Sequence, residues 1–202
     1  MRTKHLPWNK GKLVGQKAPL RLSEIWSIRI RLQIKRKTWD LALFNLAIDS
    51  KLRGCDLVSL RVRDISTGGV IARRAVALQR KTGRPVQFEV SDLTRAALAD
   101  WIRCGRWRTR PICSLAEATP QRTFSTRQYA RIVASWVLAV GLDRHAYGTH
   151  SMRRTKASLI YRRTKNLRAV QILLGHTKLE STVRYLGIEV EDALEMAEQT
   201  EA

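Results

Sequence analysis

The chain has 202 residues, 44% of them apolar, enough for the core of one substantial domain or two small ones, and its formal charge of +21 with a pI near 11.1 makes a polyanion, nucleic acid first, the expected partner. No window holds the ~18 uninterrupted apolar residues of a membrane span, and no apolar stretch follows the basic N-terminus, so a membrane or exported protein is not expected and a cytoplasmic, nucleoid-associated one is. Cys55, Cys104 and Cys113 form no CxxC pair and have no histidine at zinc-ligand spacing, so they read as ordinary thiols with no metal site.

Residues 1–19 carry Arg2, Lys4, Lys10, Lys12 and Lys17 among Gly11, Gly15, Pro7 and Pro19 with no acid, a composition that predicts a flexible basic arm. From Leu22 to about Lys37, Ile25, Ile28 and Leu32, with Trp26 beside them, recur at helical spacing. Thr38 is placed to cap a second helix, whose Trp39, Leu41, Leu43, Phe44, Leu46, Ala47 and Ile48 make it apolar almost all round and therefore central. A turn through Lys51 to Gly54 leads to a short helix, Cys55 to Leu60, with Arg53 at its start, where backbone N–H groups and a guanidinium can converge on an anion.

Val70 to Ala72, Ala75 to Leu78, and the alternating Val86, Phe88 and Val90 predict a small three-stranded antiparallel sheet whose hairpin tip presents Lys81. Ser91 or Asp92 opens a helix through Trp101, and residues 105–120 read as an irregular basic segment. Ser125 starts a helix that Gly141 stops. The next begins near His150, with Arg153 on the same face at i+3. Asn166 is placed to cap residues 167–174, and a further short helix carries Tyr185. After Tyr185 come six acids and no cation, so the 38 Lys and Arg of residues 1–185 face 11 of the 17 acids, a balance of +27. The fold class expected is mainly α (α+β), divided into the arm 1–19, a catalytic domain 20–187 and an acidic C-terminal helix or tail 188–202.

Five short stretches carry the chemistry: Leu52-Arg53-Gly54-Cys55-Asp56-Leu57, Lys81-Thr82-Gly83, His150-Ser151-Met152-Arg153, Leu174-Gly175-His176 and Thr182-Val183-Arg184-Tyr185. In this order and spacing, residues 22–188 resemble the catalytic domain of the tyrosine recombinase (phage integrase) family. The short length resembles its catalytic-domain-only members, including those that invert fimbrial promoter segments. The resemblance implies a DNA strand transferase with no cofactor. Tyr185 would attack the scissile phosphate and leave a 3′-phosphotyrosyl bond that stores the energy for rejoining, without metal or ATP. Arg53 and Arg153 would hold non-bridging oxygens through paired donors, His150 would act as general base, His176 would donate to the phosphate, and Lys81 would protonate the leaving 5′ oxygen.

Implied partners are double-stranded DNA, other copies of the chain in a dimer or tetramer, and a DNA-bending accessory protein. The acidic tail is expected to dock on a neighbouring copy or to fold back in cis. Only about twenty residues precede the catalytic domain, so weak, salt-sensitive binding to a single site is expected.

Each residue alone has a plainer reading: a salt-bridge arginine, a turn lysine (with Arg80 and Arg84 as competitors for its role), a capping histidine, a packed tyrosine. Three other readings of the whole chain exist: a DNA-binding regulator with the same fold and no activity, a type IB topoisomerase, and a basic structural protein of a ribonucleoprotein. Arg154, Lys156 and Lys51 stand where the family often has histidine, an aromatic residue and glycine.

Overall fold

The computed structural model describes residues 16–103, 124–188 and 198; the stretch before residue 16, Cys104 and Cys113 with the expected irregular segment, and nearly all of the acidic tail lie outside the described residues. Helix α1 (Leu22–Ile34) buries Ile25, Ile28 and Leu32 and leaves Trp26 49% exposed, so that tryptophan does not belong to the core stripe. The turn after it is closed by the Lys37 N–H donating to the Leu32 carbonyl (3.0 Å). Thr38 is consequently the first residue of α2 (Thr38–Ser50) rather than its cap. Every α2 residue from Ala42 to Ser50 is buried, as expected of a helix with no water-facing stripe. In place of one helix from Cys55 to Leu60 there are two single turns, α3 (Gly54–Leu57) and α4 (Val62–Ile65). The second is started by Asp64 accepting from the Arg61 N–H at 2.7 Å.

The strands form two antiparallel pairs instead of one three-stranded sheet: β1 (Ser66–Thr67) with β2 (Val70–Ile71), and β3 (Arg74–Leu78) with β4 (Pro85–Glu89). Between them the chain turns through Ala72, whose N–H donates back to the Ile65 carbonyl (2.9 Å) and so makes no ladder bond to β3. The β3–β4 register pairs Ala75 with Phe88 and Ala77 with Val86, which puts these four on the buried face.

Helix α5 (Asp92–Arg103) packs on α2. α6 (Thr126–Ala139) is capped as expected by Ser125, whose hydroxyl accepts from the Gln128 N–H (3.2 Å). It reaches α2 through the Trp136 Nε1–H bond to Asp40 (2.8 Å) and an edge-to-face Trp136–Phe44 pair at 5.4 Å. α7 (Thr149–Thr164) also lies on α2. α8 (Leu167–Leu174), capped by Asn166 accepting from the Ala169 N–H (2.9 Å), and α9 (Leu179–Leu186) join α7 in a second, smaller core. There Ala157, Val170 and Leu174 pack with Ile160, Tyr161, Leu186 and Tyr185.

Residues 16–19, assigned to the basic arm on composition, lie along this second core. The Ala18 N–H donates to the Ala146 carbonyl (3.0 Å), Gln16 Nε2 to the Arg184 carbonyl (2.6 Å), and Arg154 Nη1 to the Lys17 carbonyl (2.8 Å). Among the described residues no helix is long and apolar enough to cross a membrane.

Candidate active site

Arg53 occupies the cap position of α3, with an extended backbone (φ −67°, ψ 152°) and a side chain 21% exposed. Lys51, two residues earlier, has φ +54° and ψ 22°, a left-handed conformation that glycine adopts freely. Lysine tolerates it here because its ammonium is fully buried on the Glu89 carboxylate (2.9 Å) and the Asp49 carbonyl (2.6 Å). The turn aims two groups at the site: the Lys51 carbonyl, which accepts from Arg153 Nη1 (2.7 Å), and Arg53, whose Nη1 donates to Gln79 Oε1 (2.6 Å).

Arg153 projects from the first turns of α7 into the interior and is only 2% exposed. Its Nη2 donates to the Leu174 carbonyl (2.8 Å) and lies 3.5 Å from His176 Nε2. The Leu174-Gly175-His176 turn that offers this carbonyl requires glycine. Gly175 has φ +63°, and a Cβ there would come within 2.5 Å of Val86 and 2.8 Å of Gln79 Nε2. His176 Nδ1 is 3.1 Å from the Thr182 hydroxyl, which is fully buried. Desolvation first, then the Arg153 and Arg53 charges, push the His176 pKa down to about 4, so the ring is neutral near pH 7.

Tyr185 stands edge-on to His176, with ring centroids 5.4 Å apart. The Arg153 and Arg154 guanidinium carbons lie 5.8 Å and 5.6 Å from its ring centre. Its hydroxyl is buried and has no hydrogen-bond partner among the described residues; Arg153 is within electrostatic reach without a bond of acceptable geometry. Burial pushes the phenol pKa up to about 12, against the opposing pull of Arg153, Arg154 and Arg53. A buried hydroxyl left unpaired between cations is costly to keep, and such exceptions mark reactive positions.

His150 lies on the first turn of α7, exposed, with no hydrogen bond from its ring among the described residues. Local desolvation, then Arg153, Arg154 and Arg53, lower its pKa, which keeps it in the proton-accepting form. Lys81 is exposed in the β3–β4 turn, closed by the Gly83 N–H donating to the Gln79 carbonyl (2.8 Å). Of the six residues singled out in sequence, Arg53, Arg153, His176 and Tyr185 are thus brought together. His150 joins them electrostatically, and Lys81 is held nearby only through its hairpin.

Beneath the arginines lies a charge cluster that sequence reading did not find. Lys156 bridges Asp49 (2.6 Å) and Glu89 (2.5 Å), while one Asp49 oxygen accepts from the Ser91 N–H (2.9 Å) and the Ser91 and Thr94 hydroxyls (2.6 and 2.5 Å). Burial alone would raise the Asp49 pKa, but Lys156 and these donors outweigh it and hold the carboxylate below its usual range. Gln79 was also missed, although alternation supplied a signal: with Ala75 and Ala77 inward on β3, position 79 is inward too, and a polar residue there stands out. Arg154, which stands where the family often has histidine, flanks the tyrosine ring. Among the described residues no three His, Cys, Asp or Glu side chains gather where they could hold a metal.

Comparison with known proteins matches the sequence and the fold to one family. The phage integrase family model matches residues 20–191. A probable integrase/recombinase, YoeC of Bacillus subtilis (strain 168), is 28% identical over 172 residues, covering 85% of this chain and 90% of that protein. Tyrosine recombinase XerC of Methylobacterium sp. (strain 4-46) is 30% identical over 151 residues, covering 74% of this chain and 46% of its own length. The chain thus spans about half the length of its XerC relatives. Among solved structures, XerH recombinase in a post-cleavage complex with palindromic difH substrate superposes with a TM-score of 0.69 at 17% identity, over 90% of this chain and 53% of that one. A lambda integrase dimer bound to a COC′ core site gives 0.63 at 19% identity, over 85% and 48%. With the family model running from the start of the helical body through the tyrosine helix, the chain belongs to the phage integrase family of tyrosine-type DNA recombinases.

Proposed function

We propose that the protein is a site-specific DNA recombinase that cuts and rejoins strands through a covalent bond to Tyr185, with Arg53, Lys81, His150, Arg153 and His176 as its other catalytic residues. The observation that carries this reading is the Tyr185 hydroxyl, buried and unpaired on a ring flanked by Arg153, Arg154 and His176. A packing tyrosine has no need of two guanidiniums and an imidazole against its ring together with an unsatisfied oxygen. An inactive DNA-binding regulator would have no reason to keep it.

In the proposed step the Tyr185 oxygen attacks phosphorus and its proton passes to neutral His150. The bond from phosphorus to the 5′ oxygen breaks, and that oxygen takes a proton from Lys81. Attack by a 5′ hydroxyl reverses each transfer, so no ATP or metal ion enters the balance. Arg53 and Arg153 neutralise the charge gathering on the non-bridging oxygens, and they are oriented before the phosphate arrives. In this reading His176 donates to the phosphate from Nε2, which requires the Thr182 hydroxyl to donate to Nδ1 (3.1 Å); Arg153 Nη2, itself only a donor, lies 3.5 Å from the same Nε2. The phenol, pushed up to about 12, stays protonated until a base takes its proton.

The partner is double-stranded DNA, two sites of which would be held by a tetramer of this chain in the cytoplasm, with a DNA-bending protein as an accessory. In this reading residues 1–15 serve as a basic arm on the DNA and the acidic tail contacts a neighbouring copy. Nicked duplexes tiled across the DNA flanking the protein's own gene test it. A protein–DNA adduct that survives denaturant is expected from the wild type and not from Tyr185→Phe. Equal adduct from both, or none from folded, DNA-bound wild type, would falsify the reading.

A further inference from the structure

Gln79 is fully buried, at 0% exposure, yet all of its polar atoms are engaged with the site. Its Oε1 accepts from Arg53 Nη1 (2.6 Å) and from the Thr82 hydroxyl (2.9 Å), and its Nε2 donates to the Leu174 carbonyl (3.0 Å). The partners dictate this amide orientation, because a guanidinium only donates and a carbonyl only accepts. The same Leu174 carbonyl takes Arg153 Nη2 (2.8 Å). One amide therefore links the two phosphate-binding arginines, Arg53 directly and Arg153 through a shared carbonyl.

Its backbone serves the other end of the site. The Gln79 N–H donates to the Arg84 carbonyl (2.9 Å), and its own carbonyl accepts from the N–H groups of Gly83 (2.8 Å) and Thr82 (3.3 Å). Those bonds close the turn that carries Lys81. Thr82, the residue after that lysine, returns its hydroxyl to the same Oε1 that holds Arg53. Lys81 makes no side-chain bond of its own among the described residues, so its place relative to the arginines is set by its turn, through Gln79 and through the Arg80 N–H, which donates to Asp56 (2.9 Å) beside Arg53.

We infer that Gln79 is a positioning residue that couples the hairpin lysine to the arginine pair, so that leaving-group protonation occurs in register with phosphate binding. This rests on the recombinase reading above and adds a role that reading does not contain. A residue that merely supports the core would slow cleavage whatever leaves. One that places the proton donor matters only when the leaving atom needs a proton. A 5′ oxygen leaves as a strongly basic alkoxide unless protonated, whereas a 5′ sulfur leaves readily as a thiolate.

The test compares single-turnover cleavage of two nicked duplexes carrying the mapped cleavage site, one with an ordinary phosphodiester and one with a 5′-bridging phosphorothioate. Gln79→Leu is expected to cleave the ordinary duplex about 100-fold more slowly than wild type, as for a misplacement of about 1 Å. On the sulfur duplex most of that deficit should disappear, as it should for Lys81→Ala, and not for Arg53→Ala. Thr82→Val removes only the hairpin-side bond at an exposed position, and should show a smaller deficit with the same recovery. It decides the matter if Gln79→Leu does not fold.

Equal slowing on both duplexes, or wild-type rates for folded Gln79→Leu, overturns the coupling and leaves the recombinase reading standing. Absence of wild-type adduct on both duplexes removes the recombinase reading, and the inference with it.

Discussion

Arg153 and Lys81 are both cations assigned to one phosphate, and the fold treats them in opposite ways. Arg153 is 2% exposed, with both terminal nitrogens committed to carbonyl oxygens, whereas Lys81 is exposed at the tip of a turn. On the proposed mechanism the difference follows from the work each does. A charge that stabilises a transition state is most effective when fixed beforehand, and a proton donor must approach, give up its proton and withdraw. The site therefore has a cationic floor of Arg53 and Arg153, cross-braced through Gln79 and the Leu174 carbonyl, with the neutral His176 against it, an exposed hairpin lysine beside it and a tyrosine on α9.

Four changes bear on that contrast. Tyr185→Phe removes the nucleophile and should leave no detectable adduct while DNA binding, measured by filter or gel shift, is retained. Arg153→Lys should lower single-turnover cleavage on the order of 100- to 1000-fold, the typical cost of one electrostatic donor, because an ammonium cannot span the Lys51 and Leu174 carbonyls and still face a phosphate. Unchanged cleavage would mean the floor is not what stabilises the reaction.

Gly175→Ala attacks the floor through its backbone. The methyl group would meet Val86 at 2.5 Å in a conformation with φ +63°, and a loss of about 1–3 kcal/mol is expected. In a chain of this size that lowers the melting temperature by roughly 2 to 4 °C per kcal/mol. A melting temperature equal to wild type would show that the turn relaxes freely.

The smallest effect is on stability against pH. His176 titrates near 4 in the folded chain and near 6.5 when unfolded, so between those values the unfolded chain binds more protons. Its contribution to stability is complete above about 6.5 and is lost as pH falls toward 4. Denaturant titrations of wild type and His176→Asn should diverge in that window, the variant being the less sensitive to acid. For Tyr185 the sign reverses: its stabilising contribution is present below about 10 and lost as pH rises through about 12.

The sequence made the helical elements legible where local signals were strong. Apolar character all round announced α2, and Ser125 and Asn166 announced the starts of α6 and α8. The sheet was misread because three runs of β-forming residues look alike whether or not they share a ladder. The bend at Ala72 is set by a bond to Ile65 that no propensity encodes.

In the candidate site, the charged residues and the tyrosine were singled out by the resemblance of their short stretches to those of the family. What positions them was not, because Gln79 and the cluster of Asp49, Glu89 and Lys156 act across large separations in sequence. Lys51, Arg154 and Lys156, which depart from the family's usual residues, now have physical roles. Lys51 and Lys156 are paired with acids, and Arg154 ties the residue 16–19 segment to the tyrosine ring.

The acceptors that hold Arg153 belong to the main chain, at Lys51 and Leu174. No single-residue replacement deletes a carbonyl, so random mutation cannot erase this grip as it would erase an aspartate. It is vulnerable only where the backbone itself is delicate, at the left-handed Lys51 and at Gly175. Drift elsewhere around the arginine can proceed without disarming it, and the tolerant and intolerant positions of the site should separate along that line in a saturation-mutagenesis screen.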